Sequence, residues 1–282
     1  MGNFRSILQS RCKSDERSPQ GSNLLDPNAT VTLPPEVLDK ILERIPADSA
    51  GGERVTLIAC ALVASWWTGP CQRRLFSSVS IRKSNYQQWM DRVVLSGSKA
   101  QLLGHVRSLR IGYNRDISIK FRNLLQDHGK YLSALQNIHT LAFANTRVEH
   151  IPQYEFHICF SAFRGTLTYL SLEVFATSFS AFVTLVDYFP NIRSLQLRVF
   201  ILEPDQRPVP SLSQPLRGKL RIRFLQSGPL EFFNHFAKLD LEYEELVIES
   251  SIYVDPSSLE GALQISTSTV KSLRVTCELS RE

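Results

Sequence analysis

The chain has 282 residues, 43% hydrophobic and 21% charged, a globular composition with room for one sizeable domain or a small module followed by a larger one. No stretch is apolar for long enough to span a bilayer. The opening residues lack the apolar core of a secretory signal. Five scattered cysteines (Cys12, Cys60, Cys71, Cys159, Cys277), none in C-x-x-C spacing, suit reduced thiols in the cytoplasm or nucleus rather than a disulfide framework. The net charge of +5 is unevenly spread. Residues 82–130 carry ten Lys/Arg against Asp91, Asp116 and Asp127, whereas residues 231–282 carry ten Asp/Glu against four Lys/Arg. Such runs are either solvated surfaces or an electrostatic guide for an acidic partner.

Residues 1–30 are polar, rich in Ser, Asn, Arg, Pro and Gly, and without periodicity. They read as a disordered leader. The opening Met1-Gly2-Asn3-Phe4-Arg5-Ser6 fits the N-myristoylation pattern, with Gly2 as acceptor. Cys12, Arg5, Arg11 and Lys13 would supply the second signal that one acyl chain needs. So short a pattern also arises by chance, and the expectation is a chain without a membrane anchor.

Order is expected from Val31. Thr32 caps a first helix, with Pro34 and Pro35 near its first turn, where a missing N–H costs little. Val37, Leu38, Ile41, Leu42 and Ile45 follow at helical spacing until Pro46 stops the run. Asp48 to Glu53 reads as a flexible connection. A second apolar helix takes in Leu57 to Trp67 and breaks at Gly69-Pro70, and a third, short one runs through Arg73, Arg74, Leu75 and Phe76.

Three blocks in order carry a family resemblance. Leu33-Pro34-Pro35-Glu36-Val37-Leu38-Asp39-Lys40-Ile41-Leu42 resembles the opening of an F-box. Ala59-Cys60-Ala61-Leu62-Val63-Ala64-Ser65-Trp66-Trp67 resembles its second block, with Trp67 in the family's tryptophan position. Arg73-Arg74-Leu75-Phe76-Ser77-Ser78-Val79-Ser80-Ile81 resembles the junction found in the large F-box-like families of mushroom-forming fungi. The resemblance implies an all-α docking module over residues 31–78. It would bind a Skp-type linker protein, and through it a cullin, with Leu33, Pro34, Val37, Leu38, Ile41, Leu42, Ile45, Leu62, Val63 and Trp67. A segment this small and this apolar should leave apolar surface open to a partner. The alternative is a helical cap that buries those residues against the rest of the chain.

From residue 103 a repeat takes over. Short alternating pieces recur at Ser108–Ile111, Thr140–Phe143, Tyr169–Leu172, Ser194–Leu197, Lys219–Ile222, Glu245–Ile248 and Ser272–Val275, each reading as a half-buried strand. Their leucines (Leu109, Leu141, Leu170, Leu195, Leu220, Leu246, Leu273) are 32, 29, 25, 25, 26 and 27 residues apart, the long end of leucine-rich-repeat spacing. Phe179–Phe189 and Glu231–Lys238 read as helices between strands, and Pro204–Gly218, with four prolines, as a loop in place of one. The Asn expected after a repeat strand occurs once, as Asn114. The fold class expected is an α/β repeat solenoid, leucine-rich-repeat-like, over residues 79–282.

Nothing in the sequence has the spacing that chemistry requires. Phosphate loops, dinucleotide fingerprints, serine-hydrolase elbows and H-E-x-x-H are all missing. His157 near Cys159 lacks an orienting group. The basic 82–130 stretch matches no nucleic-acid motif. The F-box resemblance then implies a non-catalytic adaptor, expected without cofactor, metal or nucleic acid. It would deliver a protein target to a Skp–cullin–F-box type ubiquitin ligase; the alternative is a repeat scaffold unrelated to ubiquitin. If the leucines face a core, the residues between them face outward. Those outward residues include Arg110, Gln196, Arg198, Arg221, Arg223 and Arg274. They are the candidate target-binding positions, and arginine forks suit an acidic or phosphorylated segment.

Overall fold

The computed structural model describes residues 33–45, 52–81, 100–112, 132–148, 153–203, 210–224, 236, 239, 241–250 and 270–277. The leader with Gly2, the capping Thr32, Asn114 and almost all of the 231–238 helix lie outside these residues.

Three helices open the chain: α1 (Pro35–Glu43), α2 (Gly52–Val63) and α3 (Ser65–Leu75). Pro34 is the N-cap of α1. Its carbonyl accepts the Val37 and Leu38 N–H groups at 3.0 and 3.1 Å, and Pro35 has no N–H to leave orphaned. The second helix starts at Gly52 rather than Leu57, and it ends not at Gly69-Pro70 but at Ala64, which is extended (φ −152°, ψ 149°). The chain reverses there because two apolar runs must face each other. Leu38, Leu42, Leu57 and Cys71 form one small core, with Ile45, Cys60, Ala61, Trp66, Trp67 and Leu75 packed against it. Pro70 therefore lies inside α3, giving up one helix hydrogen bond to keep Trp66, Trp67 and Cys71 on the core side. The Thr68 hydroxyl, donating to the Ala61 carbonyl at 3.1 Å, closes the corner.

The rest of the chain is α/β, built on one eight-stranded parallel sheet in sequence order: β1 (Ser78–Ile81), β2 (Ser108–Gly112), β3 (Thr140–Val148), β4 (Tyr169–Ser178), β5 (Ser194–Glu203), β6 (Leu216–Phe224), β7 (Leu241–Ser250) and β8 (Ser272–Cys277). All seven alternating pieces are strands, and β1 is an eighth that the leucine spacing did not mark. Between them lie α4 (Ala100–Leu103), α5 (Gln153–Phe160), a 3-10 turn (Ser161–Phe163) and α6 (Phe179–Asp187). The register sets the strand leucines side by side: Leu109 with Leu141, then Leu170, Leu195, Leu220, Leu246 and Leu273. Leu109, Leu141, Leu170, Leu195 and Leu220 are fully buried, each contributing about 2 kcal/mol by area. A second buried position recurs three residues before the leucine, as Val106, Ile138, Leu167 and Ile192. Phe143, Phe160, Phe163 and Phe189 fill the space under β3 to β5, and Phe179, Phe182 and Phe236 continue the aromatic layer. The described connecting segments pack Phe160, Phe163, Phe182 and Phe189 into this core, while the opposite face exposes Arg110, Arg198, Arg221 and Arg274 and buries Ala142, Ser171 and Val247.

A second ladder runs across the strand entrances. The carbonyl before each of β1 to β4 accepts two N–H groups from the next strand's entrance: Ser77 from Arg107 and Ser108, Arg107 from His139 and Thr140, His139 from Thr168 and Tyr169, Thr168 from Arg193 and Ser194. Side chains brace the turns, with Asn137 Nδ2 on the Gly104 carbonyl (3.0 Å) and Asn191 Nδ2 on that of Gly165 (2.7 Å).

The 204–218 stretch departs from expectation at its C-terminal end: residues 210–215 form a loop, but Leu216 to Gly218 already belong to β6. The loop is pinned by Asp187 at the end of α6, whose Oδ1 accepts both the N–H and the hydroxyl of Ser213 at 2.6 Å. Gly218 has φ +90° and marks a register shift. Gly218 pairs with Tyr243 and Lys219 with Glu245, leaving Glu244 as an extra residue on β7. A Cβ at Gly218 would run into the Arg193 carbonyl oxygen. Gly218→Ala should therefore lower stability by about 2 kcal/mol or more, since positive φ and a backbone clash act together. Urea unfolding of the two proteins measures this.

Candidate functional site

Two surfaces stand out, one on the helices and one on the sheet. On the helices, position along the turn decides what a partner can touch. Adjacent helical residues point about 100° apart, so α1 divides its apolar residues. Leu38 and Leu42 are 1% exposed, whereas Val37 and Ile41 are 42% and 40% exposed. Helix α2 divides in the same way: Leu57 is inside, and Val55, Ile58, Leu62 and Val63 are open to solvent, the last two at 82% and 76%.

The ten residues expected to meet a linker protein thus split. Val37, Ile41, Leu62 and Val63 are available, along with exposed Pro34 and half-buried Leu33. Of the other four, Leu38 and Leu42 are corrected, being 1% exposed. They are core, and Ile45 and Trp67 are half-buried against that core. Trp67 also packs on Trp66, with ring centroids 5.4 Å apart. Val55 and Ile58 are exposed as well and were not among the expected residues. The signal was present, because Val55, Ile58 and Leu62 recur at helical spacing while Leu57, Cys60 and Ala61 define another stripe. A helix apolar on two faces has one face left over. Asp39 and Arg73, 3.3 Å apart, tie α1 to α3.

Only Phe76 and Ser77 separate α3 from β1, and both are held. The Phe76 N–H donates to Gln72 at 2.9 Å, the Ser77 hydroxyl to Arg74 at 2.7 Å, and the Ser77 carbonyl begins the entrance ladder. His105 sits at this joint, its pKa lowered by burial and then by the Arg73 and Arg107 charges.

On the sheet, the outward positions form three columns of register partners. The first holds Ser108, Thr140, Tyr169, Ser194, Lys219, Glu245 and Ser272. The second holds Arg110, Ala142, Ser171, Gln196, Arg221, Val247 and Arg274. The third holds Gly112, Ala144, Glu173, Arg198, Arg223, Glu249 and Thr276. All six expected positions lie on this face, and the register places Gln196 beside Arg221 and Arg198 beside Arg223. The arginines are not simply held out for a ligand, however. Arg110 reaches across the alanines of β3 to Glu173, making two bonds of 3.2 and 2.5 Å. Arg221 makes a forked contact with Glu249, its Nε donating at 3.0 Å. Arg198 and Arg274 are exposed. Lys219 pairs with Glu245 at 2.6 Å and Arg217 with Glu242 at 2.7 Å, so β6 and β7 meet as a basic and an acidic row. The Tyr169 hydroxyl donates to Gln196 Oε1 across the first and second columns.

Elsewhere, His157 is exposed with Nδ1 3.4 Å from the Tyr188 hydroxyl, while Cys159 is buried in the core. No described helix is long and apolar enough to cross a membrane. The sequence matches no protein-family model and no curated protein sequence.

Two expectations follow. Leu42→Asp puts a charge into a core with nothing to pair it and should unfold the helical module, whereas Ile41→Asp faces solvent and should not. Hydrogen exchange over α1 to α3 separates the two. The Glu245 carboxyl is held below its ordinary range, first by the hydrogen bond from Lys219 and then by its charge and those of Arg274 and Arg221. A depressed folded-state pKa means that this contribution is present above the unfolded pKa and lost as pH falls through the folded one. In Lys219→Met the Glu245 carboxyl should titrate higher, which NMR of the side-chain carbonyl reads directly.

Proposed function

We propose that the chain is the substrate-recognition adaptor of a Skp–cullin–F-box type ubiquitin ligase. In this reading it docks through the exposed apolar stripes of α1 and α2 and captures a protein target on the bare face of a leucine-rich-repeat-like solenoid. The observation that carries the proposal is the exposure of Val37, Ile41, Val55, Ile58, Leu62 and Val63 on a module that has its own separate core. A helical cap would spend these side chains against the sheet. A docking module leaves them open, because isolated apolar stripes on so small a body mark a partner surface. The sequential order of the strands, their 25- to 32-residue leucine spacing and the single covered face support the solenoid.

The adaptor does no chemistry. Its contribution is effective concentration: a target held on the sheet is a target held near the ligase. The held joint between α3 and β1 keeps that geometry short and stiff. The proposed target is an acidic or phosphorylated segment. Since Arg110 and Arg221 already bind Glu173 and Glu249, the anchor nearest the sheet centre is Arg198, next to Arg223.

The test is co-purification with a Skp-type linker protein. Ile41→Asp with Leu62→Asp places two charges in an apolar interface and should weaken binding by about two orders of magnitude or more, with the fold and target capture unchanged. Undiminished linker binding by the folded double variant would reject the adaptor reading.

A further inference from the structure

We propose that the row of strand-entrance side chains running from Arg107 to Arg193 binds an extended acidic segment of a partner protein. The entrance ladder fixes this row. His139 donates its N–H to the Arg107 carbonyl at 2.8 Å, Thr168 to His139 at 3.0 Å and Arg193 to Thr168 at 2.8 Å, so one residue stands at each of β2 to β5. Arg107, His139 and Arg193 are exposed, and Thr168 is half-buried. The ladder begins at the Ser77 carbonyl, at the joint with the helices, and the row precedes the three outward columns of the sheet. This inference does not depend on whether α1 and α2 dock a linker protein.

Charge along this edge is matched at one end and unmatched at the other. From β6 to β8 each entrance cation has an acid: Arg217 pairs with Glu242 at 2.7 Å, Lys219 with Glu245 at 2.6 Å and Lys271 with Glu244 at 3.3 Å. From β2 to β5 that matching stops. Among the described residues Arg107 and Arg193 meet no carboxylate, since Asp39 is held by Arg73 and Asp187 by Ser213. His105 registers the uncompensated charge: burial first, then the Arg73 and Arg107 guanidiniums, push its pKa down. His139 donates Nδ1–H to the Asn137 carbonyl at 2.8 Å, which leaves Nε2 uncommitted.

Spacing selects the occupant. Arg107 and Arg193 are three strand steps apart, about 14 Å at about 4.8 Å per step. An extended chain advances roughly 3.3 Å per residue, so carboxylates about four residues apart reach both arginines. Arginine forks hold carboxylates by paired, charge-assisted hydrogen bonds. So short a row is sparse for a nucleic acid, whose binding rests on many neutralised phosphates. A second copy of this chain is a poor source of the acid, because Glu242 and Glu244 at its own acidic entrances are already paired.

A fluorescent peptide of repeating Glu-Ser-Gly-Ser serves as the probe, titrated into the full chain. Saturable binding that weakens with added salt is expected. It should fall roughly tenfold in Arg107→Glu and likewise in Arg193→Glu, the scale of one charge-assisted contact. Arg107→Gln and Arg193→Gln, which remove the charge without reversing it, should each lose less. Arg54→Glu makes the same charge change at an exposed position on α2 and should bind as the parent does. Repeating Gln-Ser-Gly-Ser should not bind. Thermal unfolding checks that each variant is folded. Four results would each overturn the proposal: no saturable binding, binding indifferent to both Arg107→Glu and Arg193→Glu, a single-stranded oligonucleotide displacing the peptide from the same arginines, or a dimer of the chain held by them.

Discussion

From β3 onward each parallel strand stacks its leucine on that of the strand before it, and this requirement organises the molecule. A parallel pair cannot be joined by a tight turn, so each step needs a connecting segment, and that segment must return to the same end of the sheet. The column from Leu109 to Leu273 fixes the register. Alternation then does the rest, because a strand whose leucine faces the core presents its neighbours to the other side. Parallel sheets are usually covered on both faces. Here the outward columns carry Arg110, Arg198, Arg221 and Arg274 exposed among buried Ala142, Ala144, Ser171 and Val247, a largely polar set that follows from where the leucines point. The entrance ladder from Ser77 through Thr168 reinforces the register, and Gly218 shows its limit. One extra residue in β7 is accommodated only because a glycine on β6 can take a positive φ where the chain nearly touches the Arg193 carbonyl.

This dependence explains what could be read in advance. The leucines and their alternating neighbours mark seven strands, because burial of one sheet face writes a period of two into the sequence. The outward positions followed from the same parity. Strand β1 was missed since Ser78-Val79-Ser80-Ile81 has no leucine and was read as part of the junction between the helical module and the repeats. The arginine pairings were out of reach for a different reason. Arg110 and Glu173 are 63 residues apart and Arg221 and Glu249 are 28 apart. Their meeting depends on connections whose lengths vary, and a diagonal contact in the register is invisible in a linear pattern.

The helical module gave the opposite difficulty. Its blocks were legible as blocks, yet a helical pattern does not say which side meets the core and which meets a partner. Leu38 and Val37 are neighbours in sequence with opposite environments. The assignment is made by α3, a helix whose proline argues against it. Pro70 read as a terminator, but burial of Cys71 and packing of Trp66 and Trp67 against Leu38, Leu42 and Leu57 outweigh one missing hydrogen bond. Tertiary burial of this size routinely overrides local propensity.

The joint between module and sheet links these two halves. Helix α3 runs into β1 through two residues, each held by hydrogen bonds, and the Ser77 carbonyl that ends one element starts the ladder of the other. A flexible linker of comparable role would set only an average distance, with effective concentration falling as the linker lengthens. A stiff joint sets a direction as well. In the proposed adaptor, a target strapped to the outward columns would meet the ligase in one orientation, so the choice of which lysine is modified would follow from the register of the sheet. Insertion of a flexible segment between Phe76 and Ser77 would then leave both binding events intact while scattering the sites of modification.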